Sequence, residues 1–296
     1  MNRIDYQWQV KTKTAVNIGE FLESARQQLR GISEQPLSDA QALLAFYLAR
    51  DRAYILAHPE ASLTLDQYKD LQNWVSRLKN GEPMAYIIGQ WEFYGRKFKI
   101  TPHVLIPRPE TELLIEQALL WLHNHPFSNS VADVGTGSGC IAVTLQLEQP
   151  DLRICAVDIS HAALQVAYQN SDLLGTKEKI HFIQSDLLSG LQGPFDLICA
   201  NLPYIPSQTT AKLPVSRFEP VLALDGGEDG LDLVRRLITD APRIIKNGGC
   251  LLLEVEAGHG ELAPKEAKRF LPEANIEMLS DYAGLPRLLK IQFPDF

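Results

Sequence analysis

The sequence is poor in cysteine and has no long apolar run. Its 296 residues include four cysteines, Cys140, Cys155, Cys199 and Cys250, and no two form a C-x-x-C pair. This pattern argues against a disulfide framework or a zinc site and predicts buried free thiols. No apolar run approaches the roughly 20 residues that cross a bilayer, and the first ten residues lack a signal-peptide core. We therefore expect a soluble, cytoplasmic protein with no membrane partner and no bound metal.

Basic side chains are fewer than acidic ones, and the difference comes from one part of the chain. The net charge is -8. Residues 1–82 hold equal numbers of basic and acidic side chains, so the acidic surplus lies in residues 83–296. Non-specific binding of nucleic acid depends on neutralising phosphates. We therefore expect no direct nucleic-acid binding, although a local basic patch is compatible with this balance.

Glycine is absent from residues 32–80, which suits a set of packed helices. Apolar residues recur there at helical spacing, and Ser38 with Asp39 predicts a helix start. We interpret residues 1–85 as a small helical bundle. Three aromatic side chains are expected in its core rather than on a partner-binding face: Tyr47, Tyr54 and Trp74.

The composition changes after this region. Residues 86–107 mix aromatic and β-branched side chains with two glycines, which predicts a β-hairpin linker between two domains. A helix is expected to begin at Pro109, and from Ser130 onward strands and helices alternate, which predicts a mostly parallel sheet covered on both faces. We place strands at 130–134, 152–157, 179–184, 195–200 and 249–255, weaker strands near 275–279 and 287–293, and helices at 138–148, 160–174, 230–246 and near 261–271.

A glycine-rich turn follows the first strand of this region. It consists of Gly135, Thr136, Gly137, Ser138 and Gly139, with Asp133 in the strand before it. Such a turn lets a ligand approach the backbone closely, and the following helix start favours a carboxylate or phosphate. In the dinucleotide fingerprint G-x-G-x-x-G the third glycine comes one residue later. The spacing therefore disfavours NAD without excluding it.

Acidic residues follow the next two strands. Asp158 can accept hydrogen bonds from both hydroxyls of a ribose, or it can cap the next helix, a role that Ser160 can also fill. Asp186 can accept from an adenine amino group while Leu187 packs on the ring, or Asp186 can be a simple turn acid. With the glycine turn, these strand ends describe a nucleoside with a small charged tail.

The fourth strand ends in Asn201, Leu202, Pro203 and Tyr204. The Asn201 oxygen and the Leu202 carbonyl can each accept one N–H of a planar –NH2 group, and Tyr204 offers a π face. A proline turn with a capping asparagine is the alternative. Taken with the other three strand ends, the four residues favour S-adenosylmethionine over NAD as the ligand.

With these motifs the chain resembles the protein N5-glutamine methyltransferases that modify peptide chain release factors. The resemblance spans essentially the whole length, including the helical first domain, the hairpin, the glycine turn and residues 201–204, which read N-L-P-Y where the family has N-P-P-Y. Three further segments match the family: I-P-R-P-E-T-E at 106–112, L-D-G-G-E-D-G-L at 224–231 and D-Y-A-G at 281–284. N-P-P-Y alone is shared with DNA adenine methyltransferases, so the combination gives the specificity. Leu202 replaces the usual proline, and the role at that position belongs to its carbonyl.

The resemblance implies an α/β, Rossmann-like class I S-adenosylmethionine-dependent methyltransferase sheet with a small N-terminal helical domain. It implies substrate recognition by residues 1–85, a linker at 86–107 and catalysis by 108–296. The expected reaction is methylation of the glutamine in a Gly-Gly-Gln motif of a release factor, with S-adenosylhomocysteine as product, and we expect a monomer. The implied catalytic residues are Asn201, Pro203 and Tyr204, the substrate-binding residues Asn201, Leu202, Pro203 and Tyr204, and the cofactor-binding residues Asp133, Gly135, Thr136, Gly137, Ser138, Gly139, Asp158, Asp186, Leu187 and Asn201.

Three other functions stay open at this point. A nucleic-acid amino methyltransferase would need a basic groove with exposed aromatics. A nicotinamide oxidoreductase leaves residues 201–204 unexplained, and a non-catalytic adaptor has no need of Asp158 and Asn201. Arg108 and Glu110 either order a helix start or touch substrate, and we favour the first. We give Glu254 no role, because the glycine that usually follows it in the family comes later here.

Overall fold

Helices dominate the first part of the chain, as the glycine-free stretch predicts. The computed structural model describes residues 16–295, and the chain divides into two units with the boundary between Ile88 and Gly89. Residues 1–15 and 296, which belong to the predicted first and last domains, lie outside the described residues. The first unit contains the helices α1 (Ile18–Leu29), α2 (Pro36–Tyr47), α3 (Arg52–Ala57), α4 (Leu65–Lys79) and α5 (Met84–Ile88), and the short paired strands β1 (Val16–Asn17) and β2 (Ser62–Leu63).

The first unit has its own apolar core and well-formed helix starts. Asn17 and Thr64 begin α1 and α4 with capping boxes, which satisfy backbone N–H groups that a helix start leaves free. The prediction that Ser38 starts α2 is wrong, because Pro36 takes the first helical position, for which its fixed φ is suited. The expected packing of the three aromatics is confirmed, since each lies partly buried against the core: Tyr47, Tyr54 and Trp74.

The hairpin is shorter than predicted. Its strands are β3 (Gln90–Phe93) and β4 (Arg96–Lys99), joined by Tyr94 and Gly95, which both have positive φ, as a two-residue type I′ turn requires. The prediction that the hairpin begins at residue 86 is wrong. Residues 86–88 are helical, because backbone N–H groups there donate to the Pro83 carbonyl.

The second unit is built on a seven-stranded sheet. Its order is β10-β11-β9-β8-β5-β6-β7, in which β5 to β9 are parallel and β11 is antiparallel to both neighbours. The strands are β5 (Ser130–Val134), β6 (Arg153–Asp158), β7 (Ile180–Gln184), β8 (Phe195–Asn201), β9 (Ile245–Glu254), β10 (Asn275–Ser280) and β11 (Pro286–Gln292). The predicted parallel sheet is confirmed, and its chain order reverses between β5 and β8.

Helices cover this sheet in two groups. The helices are α6 (Thr111–Asn124), α7 (Cys140–Glu148), α8 (His161–Leu173), α9 (Ser207–Thr210), α10 (Asp232–Asp240) and α11 (Leu262–Phe270). α7 packs between α6 and α8, whereas α10 packs on α11. The predicted helix at 230–246 is too long, because a short 3₁₀ turn with Pro242 follows Asp240 and β9 begins at Ile245. α6 begins two residues after Pro109, which lies in a turn.

The cysteines and the helices can be compared with what the composition predicts. All four cysteines are free, and Cys155 is the one that is half-buried rather than buried. No helix within residues 16–295 combines the length and the apolar character needed to cross a bilayer.

Candidate functional site

The carboxyl ends of β5, β6, β7 and β8 border a cavity of about 320 Å³. Small-ligand sites have volumes of roughly 300–1,000 Å³. The cavity lies where the strand order reverses, which is where open α/β sheets bind their ligands. Ten of the residues singled out from the sequence line it: Gly135, Thr136, Gly137, Ser138, Asp158, Asp186, Leu187, Asn201, Leu202 and Pro203.

The glycine turn has a backbone that only glycine adopts easily. Gly135, Gly137 and Gly139 all have positive φ, which other residues rarely adopt. A Cβ on Gly135 would lie 3.1 Å from Cδ2 of Leu202, and one on Gly139 would lie 3.0 Å from Cβ of Ala167. The turn therefore packs tightly on the protein side and presents its backbone to the cavity.

Asp133 and Gly139 do not line the cavity but shape the turn from behind. Asp133 is fully buried, and its Oδ2 accepts hydrogen bonds from the Thr136 hydroxyl at 2.6 Å and the Ala142 N–H at 3.2 Å. Burial raises the pKa of Asp133 to about 7. Its contacts place this carboxyl group within the fold of the turn.

Asp158 reaches the cavity from the end of β6. Its two carboxylate oxygens accept the N–H groups of Gly137 at 2.9 Å and Ser160 at 2.8 Å. Burial raises the pKa of Asp158, and these two N–H groups oppose that effect. The capping role falls to Ser160, whose hydroxyl accepts from the Ala163 N–H at the start of α8. Each Asp158 oxygen therefore keeps a lone pair for a ligand hydroxyl.

Asp186 and Leu187 form the wall beyond β7. Leu187 has a φ of +49°, an uncommon value for a residue other than glycine. The Ser185 hydroxyl stabilises this conformation by donating to the Leu187 carbonyl at 2.9 Å and accepting from the Gly190 N–H at 2.8 Å. Asp186 forms an ion pair with Arg236 at 2.8 Å, so this pair lies beside the apolar Leu187 in the wall.

Asn201 ends β8 with its side-chain amide at the cavity. Its Nδ2 donates to Oγ1 of Thr111 at 3.0 Å, and within residues 16–295 no donor is bonded to its oxygen. Leu202 is 4% exposed and belongs to the apolar core. The Leu202 side chain therefore supports the glycine turn, and its carbonyl is the part suited to bind a ligand.

Tyr204 lies outside the residues that line the cavity, and a buried carboxyl group holds its hydroxyl. That hydroxyl donates to Oε1 of Glu254 at 3.4 Å, and burial raises the pKa of Tyr204. Glu254 is 1% exposed and lies directly beside Asn201 in the parallel pair of β9 and β8. Burial raises the pKa of Glu254 to about 7, while the Thr111 hydroxyl and the Arg287 charge act in the opposite direction.

Sequence reasoning missed Thr111 and Glu254. A signal for Glu254 was present, because one acidic residue in the apolar run of β9 must have a reason to be buried. The signal for Thr111 was weaker: it lies in the 106–112 family segment, but a threonine near a helix start is ordinary and nothing in the sequence pairs it with Asn201. Its contact with Asn201 joins residues 90 positions apart, and the fold alone brings them together.

Arg108 has a structural partner. Its Nη2 lies 2.8 and 2.6 Å from the two carboxylate oxygens of Glu219, which is 2% exposed. Burial raises the pKa of Glu219 and the Arg108 charge opposes this. The pair anchors the segment that follows α9, in which Pro220 and Leu222 line the cavity. The structural role favoured for Arg108 therefore extends to one cavity wall.

The glycine-rich segment at 225–231 supports the residues that follow β8. A Cβ on Gly226 would lie 2.6 Å from the Pro203 carbonyl oxygen, so the two backbones are in close contact. His259 fixes the segment from the other side through Nε2, which is 2.9 Å from the Asp229 carbonyl. The segment is thus part of the scaffold of the 201–204 motif.

Comparisons with known proteins agree with this geometry. Residues 20–89 match a family model described as PrmC N-terminal domain, and residues 110–218 match one described as Methyltransferase small domain. A release factor glutamine methyltransferase of Koribacter versatilis is 39% identical over 93% of this chain and 98% of its own length. One of Escherichia coli is 37% identical over 90% of this chain and 96% of its own length.

A solved structure shows the same fold at low sequence identity. The hMettl16 catalytic domain in complex with MAT2A 3'UTR hairpin 6 has a TM-score of 0.54 and 14% identity, over 78% of this chain and 82% of that chain. At this identity the likeness concerns the fold alone.

The sheet order is that of the Rossmann-like, class I methyltransferase fold. The match to the Methyltransferase small domain and the curated relatives show that the chain is an S-adenosylmethionine-dependent methyltransferase. The curated relatives identify the family within this class, because they align with this chain over nearly their whole length. The chain belongs to the release factor glutamine methyltransferase family. The resemblance, the fold class and the enzyme class predicted from the sequence are confirmed.

Proposed function

We propose that this enzyme methylates the N5 amide nitrogen of the glutamine in the Gly-Gly-Gln motif of peptide chain release factors. One observation carries the proposal: the Asn201 amide is held through its nitrogen by Thr111, and its oxygen is left to accept a hydrogen bond. A planar amide N–H of a glutamine matches that acceptor. The names of the curated relatives support the same substrate.

The residues around the cavity fit S-adenosylmethionine. Gly135 and Gly137 line the cavity without side chains, so the backbone of the turn and the start of α7 can approach the amino acid end of the cofactor. Asp158 has free lone pairs for the ribose hydroxyls, and Asp186 with Leu187 offers an acceptor and an apolar surface for adenine. When bound, the cofactor supplies an electrophilic methyl group and leaves as S-adenosylhomocysteine.

The protein activates the amide through positioning. An amide nitrogen is a poor nucleophile because its lone pair is delocalised into the carbonyl. The Asn201 oxygen and the Leu202 carbonyl each accept one N–H and so fix the orientation of the lone pair. Pro203 restricts the backbone that follows these acceptors. The stacking role expected for Tyr204 is not part of the proposal, because Tyr204 lies outside the cavity lining and its hydroxyl donates to Glu254. The same acceptors stabilise the positive charge that develops on the nitrogen. The methylated amide cation is strongly acidic and loses one N–H proton to water, so a strong base is unnecessary.

We assign recognition of the protein substrate to the first unit. Two observations support this role: the unit has its own core, and its surface carries the exposed apolar side chains of Leu56 and Leu65. A short peptide with the Gly-Gly-Gln motif lacks the surface that such a unit would contact. We therefore expect a higher KM for the peptide than for the full release factor at similar kcat.

Labelled methyl transfer tests the proposed function. Purified enzyme with methyl-labelled S-adenosylmethionine should label an intact release factor and leave its variant with alanine in place of the motif glutamine unlabelled. Equal labelling of both would overturn the glutamine assignment. Labelling of an adenine-containing oligonucleotide in place of the protein would favour a nucleic-acid amino methyltransferase instead.

A further inference from the structure

The orientation of the Asn201 amide depends on more than its bond to Thr111. A threonine hydroxyl both donates and accepts, so by itself it can hold either the NH2 group or the oxygen of Asn201. Only the first arrangement turns the Asn201 oxygen to the cavity. Thr111 is 1% exposed, so water does not decide the direction of its hydroxyl hydrogen.

Glu254 is the group that can determine the direction of the Thr111 hydroxyl hydrogen. It lies beside Asn201 in the sheet, and α6, which begins at Thr111, packs on both strands. Its Oε1 accepts from Tyr204. Its Oε2 is buried and has no hydrogen-bond partner among residues 16–295, so it is an acceptor that a nearby hydroxyl can satisfy. Thr111 is such a neighbour, and its hydroxyl is the group that most lowers the pKa of Glu254. An ionised carboxylate only accepts, so it draws the Thr111 hydrogen toward itself.

We propose that Thr111 and Glu254 are positioning residues that set the direction in which the Asn201 amide faces. Glu254 takes the Thr111 hydrogen, and the Thr111 oxygen then accepts from Nδ2 of Asn201. The Asn201 oxygen is thereby turned toward the cavity. This inference rests on the proposed function, because that function gives the oxygen the substrate amide as its partner.

The arrangement makes turnover depend on the charge of Glu254. A protonated Glu254 can donate to Thr111, which then donates to Asn201 and favours the reversed amide. The charged or titratable groups around Glu254 are Tyr204 on the segment after β8, Arg287 on β11, Glu110 before α6 and the Cys140 thiol at the start of α7. Burial raises the pKa of Glu254 to about 7, Arg287 lowers it and Glu110 raises it. We therefore expect kcat to fall as the pH drops through about 7, and Glu254→Gln to remove this inflection.

Substitutions at Thr111 test the hydroxyl directly. Thr111→Val keeps the shape and removes the hydroxyl, so kcat should fall at least about tenfold, while the Kd of S-adenosylmethionine and the KM of the release factor stay within about threefold. Thr111→Ser should restore kcat to within about threefold of the natural enzyme. Thr144→Val is the matched control, because Thr144 is fully buried and its hydroxyl has no partner among the described residues. A Thr111→Val enzyme with unchanged kcat, a raised KM alone, or a Thr111→Ser enzyme as poor as Thr111→Val would overturn the proposal.

A readout without substrate separates this inference from the proposed function. The side-chain amide NMR signals of Asn201, assigned by their loss in Asn201→Ala, should shift in Thr111→Val and Glu254→Gln and stay in place in Thr144→Val. Shifted signals in an enzyme that does not label release factors would overturn the function and retain the hydrogen-bond direction. Unshifted signals in an active enzyme would overturn the inference and retain the function.

Discussion

Asn201 is the residue on which the proposed chemistry depends most. In the proposed function its oxygen binds the substrate amide, whereas Asp158, the proposed ribose acceptor, lies on another strand. Asn201→Ala should therefore lower kcat at least about 100-fold and leave most of the affinity for S-adenosylmethionine. Asp158→Ala should show the converse, a raised Kd before any loss of kcat. Steady-state kinetics and equilibrium titration separate the two effects, and unchanged turnover in Asn201→Ala would contradict the assignment.

At the scale of elements, the glycine turn between β5 and α7 can be tested with a matched pair of substitutions. Gly135→Ala meets both a positive φ and the nearby Leu202 side chain, so the turn must shift. We expect the Kd of S-adenosylmethionine to rise at least about tenfold, since backbone approach is lost. Gly175→Ala is the control, because Gly175 has a φ of +76° with nothing within 4 Å. Equal effects of both variants on Kd would mean that backbone strain alone, and not the site, is being measured.

The wall held by Arg108 provides a second test at this scale. Arg108→Ala leaves the buried Glu219 carboxylate without its partner, which should cost about 2 kcal/mol in the free energy of unfolding and loosen the wall at Pro220. Arg243→Ala is the control, because its ion pair with Asp240 is long, at 3.8 Å, and exposed, and such pairs contribute roughly 0–1 kcal/mol. Urea unfolding measures both. A loss for Arg108→Ala no larger than that for Arg243→Ala would refute the anchoring role.

The elements were predictable where local pattern decides them. β5 to β8 follow from apolar runs, and the glycine turn follows from its residues. The predicted helix at 230–246 is too long because apolar residues keep their helical spacing past Pro242. The backbone cannot continue the helix there, since proline has no N–H to donate. Thr111 and Glu254 could not be found in the same way, because their contact with Asn201 arises from the register of β8 with β9 and the packing of α6.

At the scale of the whole molecule, buried carboxyl groups link stability to pH. Asp133 and Glu254 both have a pKa of about 7 in the folded chain, against roughly 4 when unfolded. The folded state therefore binds more protons between these values, and the free energy of unfolding should fall as the pH rises from about 4 through about 7. We expect a loss of at least about 2 kcal/mol between pH 5 and pH 8 in urea unfolding.

Two variants decide whether these carboxyl groups cause that loss. Asp133→Asn combined with Glu254→Gln should reduce the dependence, because neither side chain then titrates; Asp158 and Glu219, whose pKa values burial also raises, account for what remains. Asp229→Asn should leave it unchanged, since the hydrogen bond from Arg235 lowers the pKa of Asp229 to about 2, outside this window. A flat profile in the natural enzyme, or an undiminished slope in the double variant, would contradict the explanation.

The central claim concerns one atom, the side-chain nitrogen of a glutamine. Fragment-ion mass spectrometry of a release factor treated with enzyme and S-adenosylmethionine can locate the added methyl group. We predict one methyl group on the side-chain amide nitrogen of the Gly-Gly-Gln glutamine, present with the natural enzyme and absent with Asn201→Ala. A methyl group on any other residue, or one that Asn201→Ala still adds at the same rate, would contradict the proposed function.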